Sequence, residues 1–99
     1  VRVHLDQWDR DVPVGQTHTD LRPCAGERGT VEVFANTSNC VVNVVGPMGG
    51  VIAGGTAVAG AGVVVGWTTP TARIGIQIQN TGAALGRYAI SLSQFETTG

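Results

Sequence analysis

Lysine is absent from this chain, and charge of either sign is scarce: six arginines and seven acids among 99 residues leave a formal net charge of −1. Charged residues make up 13% of the sequence, about half the ~25% of an ordinary globular protein, so the folded surface must be largely neutral. The arginines are scattered and form no basic stripe, which argues against nucleic acid as a partner. Long apolar runs are missing as well. The most apolar stretch, Val41 to Trp67, is broken by Asn43, Pro47 and eight glycines, too weak a pattern for a transmembrane helix. The opening VRVHLDQWDRD is polar from its second residue and lacks the features of a secretory signal. A mature secreted chain and a virion protein made in the cytoplasm would both begin this way.

Catalytic inventory is equally thin. Ser38, Ser91 and Ser93 are the only serines, no G-x-S-x-G elbow exists, and the two histidines, His4 and His18, lie in the N-terminal region. The expectation is a protein that is not an enzyme and uses no cofactor or metal. The acids Asp6, Asp9 and Asp11 do not have the spacing of a calcium-binding loop and read as a solvated acidic face.

Cysteine is limited to Cys24 and Cys40. An even pair in a small β domain suggests one disulfide, closing a loop of about 15 residues and contributing roughly 3 kcal/mol, which would require an oxidising compartment.

What the chain has in abundance is glycine, 15 residues, together with Val, Thr and Ala. Such a composition favours short strands joined by tight turns. Charge is segregated along it: ten of the thirteen charged residues fall within the first 32 positions and none between Val33 and Ala72. Residues 1–29 read as a more irregular polar arm, with strands at VRVHL and around Trp8 to Val14. From Thr30 the alternation is strand-like. TVEVFAN sets Val31, Val33 and Ala35 against Glu32, Phe34 and Asn36, and CVVNVV follows a turn, so the two would form a hairpin. GVIAGG and Val63–Trp67 are further strands. ARIGIQIQN places Ile74, Ile76 and Ile78 on one face, and RYAISLSQF turns Tyr88, Ile90 and Leu92 inward. One 99-residue domain is expected: all-β, an antiparallel β-sandwich or jelly roll of seven to eight short strands.

The order of signals resembles that of bacterial pre-peptidase C-terminal domains over Gly26 to Leu92. Gly46, Pro47, Gly49 and Gly50 stand for that family's hairpin, Asn80 and Gly82 for its N-x-G turn, and Gly86, Tyr88, Ile90 and Leu92 for its closing strand. The family's aspartate-rich turns are missing here. The resemblance implies a jelly-roll-like sandwich serving secreted proteins as a non-catalytic targeting or matrix-binding module.

Forty consecutive uncharged residues in several strands would leave edges and faces with little to block association, whereas natural edges usually carry charge. The sequence therefore points to a structural or interaction protein on a virion surface or outside the cell, partnered by identical subunits or a larger scaffold. Val44, Val63, Val65 and Trp67 are its interface candidates. The second reading is a carbohydrate- or matrix-binding accessory module in which Trp67 and Tyr88 contact a polysaccharide.

Overall fold

A computed structural model describes residues 1–68 and 71–97; Thr69 and Pro70, neighbours of Trp67 in sequence, lie outside them. Eight strands run β1 Arg2–Val12, β2 Thr17–Pro23, β3 Arg28–Ala35, β4 Cys40–Val45, β5 Val51–Ala57, β6 Gly62–Trp67, β7 Arg73–Asn80 and β8 Gly86–Glu96. They form two four-stranded antiparallel sheets: sheet I in the order β1-β8-β3-β6, and sheet II in the order β2-β7-β4-β5.

Four of the pairings, β1 with β8, β2 with β7, β3 with β6 and β4 with β5, describe one long antiparallel ribbon folded back on itself. Thr17 faces Gln79, Gly29 faces Trp67 and Val45 faces Val51, each pair placed symmetrically about Met48 at the tip. Gly49 sits there at φ 84°, a conformation that glycine adopts without strain. Rolling the ribbon brings β3 beside β8 and β4 beside β7, which closes two sheets from one hairpin. The result is a jelly roll.

The core lies between the sheets. Ile74, Ile76 and Ile78 of β7 are 0–1% exposed, as are Val31 and Val33 of β3, Val42 and Val44 of β4, and Tyr88 and Ile90 of β8. These come from the two central strands of each sheet, where alternation has a buried side to serve. Each such Val or Ile contributes roughly 1.5–3 kcal/mol on burial.

Three expectations are corrected. TVEVFAN and CVVNVV are not a hairpin: β3 belongs to sheet I and β4 to sheet II, so the connection after Ala35 crosses between layers. Residues 1–29 are not an irregular arm, because β1 and β2 pair along their lengths with β8 and β7. The cysteines are unpaired. Pro23, next to Cys24, lies opposite Arg73, whereas Cys40 lies opposite Asn80. They therefore sit at the two ends of β7, about 23 Å apart at ~3.3 Å per residue, where a bridge needs Cα atoms within roughly 7 Å. The argument for an oxidising compartment falls with the bridge.

Candidate functional site

A sandwich of two sheets has two open sides, and here they differ completely. One side is formed by the edge strands β1 and β2, the other by the edge strands β5 and β6.

The β1/β2 side is closed by ions. Its inward positions carry Asp6, Trp8 and Arg10 from β1 and His18, Asp20 and Arg22 from β2. Asp20, 7% exposed, accepts hydrogen bonds from Arg10 Nη2 at 2.6 Å, Arg10 Nε at 3.1 Å and Trp8 Nε1 at 3.0 Å, and His18 Nε2 lies 3.2 Å from its Oδ1. Burial pushes this carboxyl up. The hydrogen bonds from Arg10, Trp8 and His18 and the Arg10 charge outweigh burial, so its pKa lies below the ordinary 3.8. Arg22 donates from Nε to Asp6 at 3.0 Å while its guanidinium lies 4.0 Å from the Trp8 ring centroid, a cation–π contact. His4 continues the row, 3.1 Å from Glu96. The acids read from the sequence as a solvated face are all exposed, and of the three Asp6 pairs with Arg22 across the side.

The β5/β6 side holds no charge at all. VIAGGTA and GVVVGW supply no ionisable group and no proline, and closure relies on small residues: a Cβ on Gly55 would come within 2.8 Å of Val63 Cγ2. Neither strand has a pairing partner on its outer edge among the described residues.

The neutrality extends over the outer face of sheet II. Thr17, Gln79, Val41 and Thr56 form one row across the four strands, and Thr19, Gln77, Asn43 and Gly54 the next. A third row runs Leu21, Gly75, Val45 and Val51. Twelve positions pass without a charge, and the first to follow, Arg73 opposite Pro23, lies at the rim. Sheet I is different: its outer face bears Asp9, Asp11, Arg28, Glu32 and Arg87, all exposed.

The residues nominated from sequence are not the exposed ones. Val44, Val65 and Trp67 are 0%, 4% and 4% exposed, and Val63 packs against the same core. They occupy inward positions and hold this domain together; of the four, Val63 alone keeps partial exposure. Of the ligand candidates, Tyr88, 1% exposed, directs its hydroxyl to the Asn39 carbonyl at 3.3 Å and faces no surface, whereas Trp67, though 4% exposed, still lines a hollow on sheet I. The interface reading moves to the opposite positions of the same strands and to β2 and β7. The sequence signal was present in the Thr, Gln and Asn of THT, QIQN and VVN, but an uncharged polar alternation does not register when apolar residues are sought.

One hollow of about 400 Å³ opens on sheet I, lined by Arg28, Gly29, Thr30, Gly66, Trp67, Thr68 and Phe95. Among the described residues no group of three or more His, Cys, Asp or Glu is placed to hold a metal ion. Among the same residues no helix is long and apolar enough to cross a membrane. A scan against protein-family models and a search of curated proteins each give no significant match.

Proposed function

We propose that this chain is a non-catalytic structural subunit whose jelly roll docks on, or assembles into, a larger shell, filament or surface through the outer face of sheet II and the adjoining β5/β6 side. The observation that carries the reading is the charge-free grid of twelve positions on sheet II. Interface centres are depleted in charge because desolvating an ion is costly, and a soluble face facing only water has no reason to avoid arginine and glutamate when the opposite sheet uses both. Jelly rolls also build viral capsid domains, an analogy at the level of fold alone. A virion surface or extracellular setting suits such a subunit.

Light scattering across a concentration series tests the idea. Gln77→Lys, in the middle row, should weaken self-association at least tenfold, while Ser91→Lys on sheet I should not. A chain that stays monomeric, or whose association ignores Gln77→Lys, overturns docking between identical copies through this face.

The second reading, a polysaccharide-binding accessory module like the one that the resemblance to pre-peptidase C-terminal domains implies, drops the buried Tyr88 and keeps Trp67, which lines the hollow on sheet I. There Phe95 supplies an aromatic wall and Arg28, Thr30 and Thr68 supply polar groups. Phe95→Ala should abolish any polysaccharide binding seen by titration; unchanged binding removes this reading.

A further inference from the structure

Resting on the assembly reading, we infer that the partner is a second copy of this chain and that the two copies join β5 to β5, antiparallel, across a two-fold axis at Gly54. Sheet II then continues into its copy as one eight-stranded sheet.

Every edge of the sandwich except two is defended. β1 carries Asp6, Asp9, Arg10 and Asp11, and β2 carries Asp20, Arg22 and Pro23, the charges and proline that keep natural edges from pairing. Of the two undefended edges, β6 has Glu32 beside it, opposite Val64. β5 has no charge behind it through β4 and none in β7 before Arg73 at the rim.

Self-pairing of β5 is complementary in detail. Full overlap of Val51–Ala57 with its copy places Gly54 on the axis, Ala53 opposite Gly55, Ile52 opposite Thr56 and Val51 opposite Ala57. No like charges meet, and the centre is glycine in both copies. The two ends of β5 carry exposed apolar residues: Met48 at 99% before it, Val51 at 63% as its first residue and Val58 at 62% after it. Antiparallel pairing sets the Met48 and Val51 end of one copy beside Val58 of the other, covering at both ends what the monomer leaves bare. An isologous contact of this kind closes on itself. A seven-residue edge is only about 24 Å long. Strand pairing alone thus falls short of the roughly 1,000 Å² of a stable interface, and the flanking Met48 and Val58 contacts are needed to approach it. The dimer should therefore be concentration-dependent.

Gly54→Cys in a Cys24→Ser background tests the axis directly. A Cβ there meets the movable Asn43 side chain first, so the fold should tolerate it; the double variant Ile52→Cys with Thr56→Cys serves if it does not. Under mild oxidation we expect a reducible dimer forming at least tenfold faster than with Gly66→Cys on β6. Thr56→Lys, facing Ile52 of the copy, should raise the dimer dissociation constant at least tenfold in sedimentation equilibrium. Cross-linking no faster than at Gly66, or association indifferent to Thr56→Lys, overturns the β5 pairing. If Gln77→Lys still disperses the assembly in that case, docking through the face of sheet II stands without it; if Gln77→Lys is also silent, both fall.

Discussion

Gly29 of β3 lies directly beneath the indole of Trp67, its cross-strand partner in β6: a methyl group at position 29 would run into Cζ2 of the ring. The glycine is the space in which the tryptophan lies flat. Gly29→Ala should destabilise the fold by about 1–3 kcal/mol, the usual cost of overfilling a packed core, and Trp67→Ala by about 3–5 kcal/mol through the cavity it leaves. The two should couple. In urea denaturation, Gly29→Ala in a Trp67→Leu background should cost at least 1 kcal/mol less than alone. Additive losses would mean that the ring does not depend on the missing Cβ.

The strands of the two central columns were legible because burial on one side forces apolar alternation. β7 with its three isoleucines, β8 from Tyr88 to Leu92 and β3 from Val31 to Ala35 were all placed correctly in sequence and face. β2 was not, since its inward residues are His18, Asp20 and Arg22 and its outward ones Thr17, Thr19 and Leu21, the reverse of the usual hydrophobic alternation. Such a strand is recognisable only with its partner, because Asp20 needs the donors of Trp8 and Arg10. The hairpin expected of β3 and β4 failed because a short connection does not reveal whether the chain turns within a sheet or crosses to the other. Val44, Val63, Val65 and Trp67, named as interface candidates, belong to the inward parity of their strands and pack in or against the core, which apolar content alone does not reveal.

Asn80, 1% exposed, ties three chain segments together with every polar atom of its side chain in use. Its Nδ2 donates to the Val12 carbonyl at 2.9 Å and the Ala84 carbonyl at 2.8 Å, and its Oδ1 accepts from Ser38 Oγ at 2.8 Å and the Gly82 amide at 3.0 Å. Asn80→Ala strands these groups and should cost about 3 kcal/mol. Asn80→Asp should cost as much at neutral pH, since a carboxylate would face two carbonyl oxygens. Midpoint shifts in urea denaturation will measure both; a loss below ~1 kcal/mol for either would mean that the hub is dispensable.

With Cys24 and Cys40 at opposite ends of β7, the unfolded, unreduced chain should take up two alkylating groups by intact mass. In the native state Cys40, 1% exposed, should be protected and Cys24 should react first. Burial holds the Cys40 thiol above its ordinary 9.0, despite a hydrogen bond with the Ala57 backbone that lowers it, which protects it further. A mass unchanged by alkylation before reduction would restore the disulfide and overturn the arrangement of strands that separates the two residues.

Acid should open the molecule from the β1/β2 side. Asp20 has a folded pKa below its ordinary 3.8, so the unfolded chain binds the proton more readily than the folded one. Its contribution to stability is present above 3.8 and is lost as the pH falls through the lower folded value. Asp20→Asn removes that dependence together with the charge that Arg10 requires, and should cost about 2–3 kcal/mol at neutral pH. The figure stays below that of a fully buried pair because the Arg10 side chain is 35% exposed. Thermal melts from pH 7 down to pH 2 should show the wild type losing its advantage over Asp20→Asn at the acid end, with the curves converging. A constant gap across that range would mean that the carboxylate contributes through shape and not through charge, and that the ionic closure of this side is incidental to the fold.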